Sequence, residues 1–138
     1  MSDMNEQNKG VIKEFRENAG NVGGFFEGAN MILVHTTGAK SGKERINPLV
    51  YFADGARYAI FASKGGAPTN PDWYYNIVAN PEIRVEVGSE TFEVTATVAE
   101  EPERTEIYGK MAAMHSNFAD YEKGTTRVIP VVILTRKP

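Results

Sequence analysis

With 138 residues, 41% hydrophobic and 24% charged, the chain has the make-up of one globular domain able to bury its own core, which excludes a disordered polymer. The absence of cysteine excludes a disulfide scaffold, a thiolate metal site and a thiol nucleophile, and two histidines, His35 and His115, are too few for a histidine-rich metal centre. A formal charge of −3 argues against a general nucleic-acid binder, and no apolar run nears the roughly 20 residues that span a bilayer.

The opening residues MSDMNEQNKG are polar, without an apolar signal stretch. They read as a loose lead-in over 1–9 of a cytoplasmic protein. Val11, Ile12 and Phe15 then fall on one side of a short helix over 8–19, ended by the glycine-rich segment 20–24. MILVHTT at 31–37 is a β-branched, apolar strand. A two-glycine turn over 38–43 leads into a second strand over 45–53, where Pro48 points to an edge, a bulge or a ligand-facing backbone. Asp54-Gly55 is a hairpin signal before a third strand over 57–63, and the three strands form a meander.

After a loop over 64–69, Asn70 is the expected cap of a helix whose first residue is Pro71 and which runs to Ala79, stopped by Asn80-Pro81. Strands over 83–87 and 90–98 make a hairpin through Gly88-Ser89, with Phe92, Val94, Ala96 and Val98 facing inward. A helix over 102–114 carries Ile107, Tyr108, Met111 and Met114 on one stripe. A short helical turn over 117–123 and a last apolar strand over 128–136 complete the chain. Six strands, mostly in hairpins, predict a small closed or nearly closed β-barrel, since closure removes exposed edges. Regular βαβ alternation and a G-x-G-x-x-G after a strand are both missing, which disfavours a dinucleotide fold.

Three segments carry chemistry. In Gly38-Ala39-Lys40-Ser41-Gly42-Lys43-Glu44-Arg45 the cations, the serine and the glycine-freed amides suit a phosphate or carboxylate. The same residues also fit a solvated basic turn. The following Ile46-Asn47-Pro48 forbids the helix that a P-loop needs. In the second segment, Ala62-Ser63-Lys64-Gly65-Gly66 precedes a helix start, where negative charge is favoured. There Trp73 is either a flat platform for a ring or a core side chain. The third segment, with Met114, His115, Phe118, Tyr121, Thr125, Thr126 and Arg127, reads as a lid on an apolar pocket or as helix packing. His35, inside a strand, reads as structural.

Taken in order, these motifs, with Asn47-Pro48-Leu49, Asn70-Pro71-Asp72-Trp73-Tyr74-Tyr75-Asn76, Ala79-Asn80-Pro81 and Arg127-Val128-Ile129-Pro130-Val131-Val132, resemble the deazaflavin-dependent nitroreductase family, oxidoreductases that use coenzyme F420. The resemblance runs from about residue 23 to the C-terminus. It implies a mainly β fold with flanking helices, a six-stranded split β-barrel over 23–138 behind a lead-in and short helix over 1–22, related to flavin-binding pyridoxamine-phosphate-oxidase-like proteins. The family's cofactor is an 8-hydroxy-5-deazaflavin ring carrying ribitol, a phosphate, a lactyl unit and a polyglutamate tail. By resemblance, Lys40, Ser41 and Arg45, with Lys43 nearby, hold the phosphate. Asn47, Pro48, Val50, Phe61, Ala62, Ser63 and Lys64 line the ring, and Asp72, Trp73, Tyr74 and Asn76 complete the pocket.

The implied reaction passes a hydride from the reduced cofactor to an electron-poor small molecule, such as a quinone, an activated enone or lactone, or a nitroaromatic. The carrier does the hard step and the protein supplies orientation and electrostatics. Ser63, Tyr121 and His115 are the candidates beside the acceptor, for the proton the product needs. Val50, His115 and Phe118 stand where nitroimidazole-reducing members carry tyrosines, Asp72 stands in place of a ring-contacting methionine, and Tyr121 is retained. The expected partners are a small-molecule substrate, without nucleic acid or stable membrane insertion, and the expected assembly is a monomer or homodimer. An FMN-dependent reductase on the same barrel, or a non-catalytic binder of deazaflavin or a lipophile, are the competing readings.

Overall fold

Seven runs of extended chain pair into one antiparallel sheet in the computed structural model, which describes residues 6–23 and 28–137. They are β1 (Met31–Thr37), β2 (Glu44–Val50), β3 (Phe52–Asp54), β4 (Arg57–Phe61), β5 (Glu82–Val87), β6 (Glu90–Val98) and β7 (Val131–Arg136), in the order β2-β1-β5-β6-β7-β4-β3. The two ends of this order are neighbours in sequence, separated only by Tyr51. The strand expected over 45–53 therefore pairs with β1 before Tyr51 and with β4 after it. That change of partner curls the sheet into the barrel. It also turns six expected strands into seven and the expected meander into two hairpins. Pro48, with no N–H to donate, sits in the terminal strand β2, as an edge position requires.

The remaining expectations meet the structure unevenly. Both two-residue hairpin turns form, closing between Asp54 and Arg57 and between Val87 and Glu90. The helix α1 (Glu6–Glu17) already begins at Glu6, so the lead-in is shorter than 1–9; residues 1–5 of it, and 24 of the helix-ending segment, lie outside the described residues. Helix α2 (Asp72–Ala79) starts after Pro71 without a side-chain cap, and Asn70 instead accepts a hydrogen bond from Arg127. Strand β7 begins at Val131, because Pro130 cannot enter a ladder as a donor, and Val128 is exposed. Val98, the last residue of β6, and Met114, the last of α3 (Glu103–Met114), are also exposed. Met114 stands at the C-terminal end of its helix, whereas Val98 is still paired with Val132 of β7 while its side chain is exposed. The helical turn expected over 117–123 is α4 (Ser116–Lys123).

Strand alternation divides the core. Ile32 and Val34 of β1 and Ile60 of β4, with Ala62 just after it, point to one cluster, covered by Trp73 and Ile77 of α2. Met31 and Leu33 point the other way, onto Ile12 and Phe15 of α1. Ala59 and Phe61 face Ile107, Tyr108 and Met111 of α3 and Phe118 of α4. Gly20 (φ 94°) lets the end of α1 meet the β5–β6 turn, where a Cβ would lie 3.0 Å from Gly88 Cα.

Helix α1 is also held by charge. Arg16 makes a two-pronged contact to Glu86 of β5, at 3.0 Å from Nε and 2.8 Å from the second guanidinium nitrogen. The buried His35 lies 2.7 Å from the same carboxylate. The Arg16 contact is the largest influence on the Glu86 carboxyl; burial, the next largest, opposes it, and with the weaker help of the His35 contact the carboxyl is held below the ordinary carboxylate range. A folded pKa lowered in this way stabilises the fold above the unfolded value, and that stability is lost as pH falls through the folded value. Glu86→Gln is therefore expected to lower the unfolding free energy by about 1–3 kcal/mol at pH 7. In urea unfolding the difference should shrink as the pH is taken down to about 3. An equal offset at both pH values would remove the carboxylate from this role.

Candidate active site

The cationic turn is shaped by its own backbone. Gly38 N–H donates to Lys43 O at 2.8 Å and Gly42 N–H to Gly38 O at 2.9 Å. Lys43 N–H donates to Ser41 Oγ at 3.2 Å, leaving the serine hydroxyl proton to point elsewhere. Across from the turn stands α2. Asn76, buried on that helix, accepts the Ala39 N–H at 2.9 Å and so ties turn and helix together. Between them lies a cavity of about 580 Å³, with Gly38, Ala39, Lys40, Ser41 and Arg45 on one wall and Asp72, Tyr75 and Asn76 on the other. On a helix, positions 72, 75 and 76 share one face. Two separate sequence segments thus become one site.

The structure sorts the remaining residues assigned by resemblance. In β2 the register with β1 is unbroken, so Arg45, Asn47 and Leu49 face one side and Ile46, Pro48 and Val50 the other. Leu49 packs with the α2 cluster, whereas Val50 packs with the α1 and α3–α4 clusters. Asn47 therefore shares the cavity side with Arg45, and the side chains of Pro48 and Val50 do not. Lys43 is exposed and does not line the cavity. Trp73 is 6% exposed and belongs to the core, so its indole is packing and not a platform open to a ring. Phe61 and Ala62 are also core side chains. Tyr74 is half-buried against the same core, with its ring 5.4 Å from that of Tyr75.

Tyr75 joins the cavity although the resemblance assigns it no role. It is 51% exposed at the cavity wall, and its position three residues after Asp72 in the predicted helix is the signal that pointed to it. Gly38 and Ala39 of the turn line the same cavity.

A second group lies around α4. The ring of Phe118 stands 5.4 Å from that of Phe61, 5.3 Å from Tyr121 and 6.4 Å from His115. His115 occupies the junction of α3 and α4. The Tyr121 hydroxyl accepts from Asn117 Nδ2 at 2.9 Å. Tyr108 donates its hydroxyl to Phe118 O at 2.7 Å, and burial pushes its phenol up to about 12, which makes it a structural group and not an acid. The loop carrying Ser63 and Lys64 closes against this group. Gly66 (φ 83°) comes so near α4 that a Cβ there would stand 2.9 Å from Tyr121 O. Lys64 itself reaches Thr69, at 3.3 Å. So the three candidates for the acceptor side, Ser63, His115 and Tyr121, sit on the loop and helices that meet at Gly66 and Phe118.

Arg127 braces that loop. Its guanidinium donates to Ala67 O at 2.8 Å, Ser63 O at 2.8 Å, Ala62 O at 3.1 Å and Asn70 Oδ1 at 2.7 Å.

The fold and the site define a split-barrel protein with a turn-to-helix cavity that carries Lys40 and Arg45 on one wall, and with a separate aromatic cluster around Phe118. The chain belongs to the F420H(2)-dependent quinone reductase family, whose model matches residues 8–136. It is 39% identical over 127 residues to an F420H(2)-dependent quinone reductase of Mycobacterium tuberculosis, covering 89% of this chain and 85% of that protein. Among solved structures, an F420-H2 dependent reductase, FDR-A, superposes with a TM-score of 0.70 at 40% identity, covering 76% of this chain and 93% of that one. Another, described as a domain-swapped dimer, superposes at 0.71 and 35% identity, covering 93% and 94%. Membership implies coenzyme F420 as the cofactor.

The residues present fit such a cofactor. Lys40, Ser41 and Arg45 would supply cations and a hydroxyl to its acidic groups. On the Arg45 side of the sheet, the buried Thr36 Oγ1 and Asn47 Oδ1 find no hydrogen-bond partner among the described residues, capacity that a ligand's hydroxyls would use.

Proposed function

We propose that the protein binds reduced coenzyme F420 and uses it to reduce a small, electron-poor acceptor of the quinone type. The observation that carries this reading is the cavity in which Lys40, Ser41 and Arg45 face a helix tied to their turn by the Ala39–Asn76 hydrogen bond. When bound, the deazaflavin supplies a two-electron hydride donor. The chain's own contribution is binding and placement. Lys40 and Arg45 attract the acidic end, and Ser41 donates to it. Ser63, Tyr121 and His115 stand on the elements expected to face the acceptor, where one of them, or water, delivers the proton. Activated enones, lactones and nitroaromatics are further acceptors of this chemistry. The reading also carries the expectations of a cytoplasmic enzyme and of a monomer or homodimer. Among the described residues, no helix is long and apolar enough to cross a membrane.

The test is a spectroscopic screen. Reduced F420, reduced FMN and NADPH are each offered with menadione, a coumarin-type lactone and a nitroaromatic. Oxidation of reduced F420 by menadione, with little from the other two donors, is the expected result. A yellow protein that turns over reduced FMN would favour the flavin reading. Tight F420 binding without turnover on any acceptor would favour a binding protein.

A further inference from the structure

The cavity has walls of opposite sign. On one side stand the half-buried Arg45 and the exposed Lys40, with Ser41 between them in sequence. On the other stands Asp72, exposed in the first turn of α2. An acid in a first helical turn is favoured by the helix dipole, which accounts for its stability there. That preference does not account for a carboxylate lining the same cavity as the two cations that attract an anion. Any phosphate drawn to Lys40 and Arg45 meets the field of Asp72, and the repulsion scales with the charge the phosphate carries. A monoester is doubly charged above its second pKa of about 6, and a diester is singly charged.

We infer that Asp72 is a specificity-determining residue of this cavity, biasing it against doubly charged phosphate monoesters and in favour of singly charged diesters. The inference deepens the proposed function. It rests on the cavity's being the phosphate site, and it explains how the same barrel site would tell a phosphate joined at both sides, between ribitol and lactyl units, from the terminal phosphate of FMN. Because the repulsive energy doubles with the charge, removing it should change the monoester's affinity by the square of the change for the diester.

The experiment uses two probes with the same ring, FMN and the methyl ester of its phosphate, titrated by flavin fluorescence at pH 8 and low ionic strength. Asp72→Asn is expected to tighten the ester about threefold and FMN about tenfold, the scale of a solvent-screened charge. Asp72→Glu, which keeps the charge, is expected to leave the ratio of the two affinities as in the native protein. Asp72→Ser serves in place of the Asn variant if circular dichroism shows the latter unfolded. Equal gains for both probes, no gain, or a loss would overturn the inference. So would a failure of both probes to bind any form, since the cavity would then take no phosphate. None of these results touches the oxidation of reduced F420, whose own assay judges the proposed function separately.

Discussion

Replacing Lys40 and Arg45 together by alanine is expected to weaken F420 binding about 100-fold at low ionic strength. Each side chain lines the cavity, and a charge-assisted contact is worth about 1.5–3 kcal/mol, so losing two removes roughly 3 kcal/mol after screening. The measurement is a fluorescence titration of the cofactor at two salt concentrations. The native protein should lose affinity as salt rises, whereas the double variant, already without its cations, should respond little. Lys43→Ala is the control within the same turn. Lys43 is exposed and lies outside the cavity lining, so its loss should cost less than about threefold. Native affinity in the double variant would dismiss the cavity as the cofactor's anchor.

The second large effect is expected from Arg127→Met, which should destabilise the fold by about 3 kcal/mol. Four acceptors in one loop depend on this side chain: the carbonyls of Ala62, Ser63 and Ala67, and Asn70 Oδ1. Methionine keeps the bulk and leaves part-buried carbonyls without a donor, each costing about 1 kcal/mol or more. In a domain of this size the melting temperature should fall by roughly 10 °C. Arg127→Lys should recover only part of it, since one ammonium cannot span the four acceptors that a planar guanidinium reaches. A loss under about 1 kcal/mol in urea unfolding would show that the loop is held by something else.

The cationic turn could be read directly from Lys40, Ser41, Lys43 and Arg45 and the flanking glycines, because the chemistry of a tight turn lies within a few residues. Which of those cations lines a cavity could not. Lys43 and Arg45 are two residues apart, yet one reaches solvent and the other a cavity whose far wall is Asp72, Tyr75 and Asn76. The Ala39–Asn76 bond that joins the walls spans 37 positions. Trp73 shows the same limit from the opposite direction. An indole at a helix start suits a ring platform and a core equally well, and the packing of α2 over β1 and β6 settled it as core.

The residues themselves determined the local elements: β-branched runs made strands, Asp54-Gly55 and Gly88-Ser89 made hairpins, Asn80-Pro81 ended a helix, and the ordered motifs identified the family and with it the cofactor. Only the tertiary structure decided the change of partner at Tyr51, the side of β2 that Asn47 shares with Arg45 and not with Val50, the turning of Tyr75 toward the site, and the role of Arg127, which braces Ala62 from 65 positions away. The reason is range. Turn and strand preferences act over neighbouring residues, whereas a side chain's face and partners follow from sheet register and from elements far along the chain, which no short stretch of sequence contains.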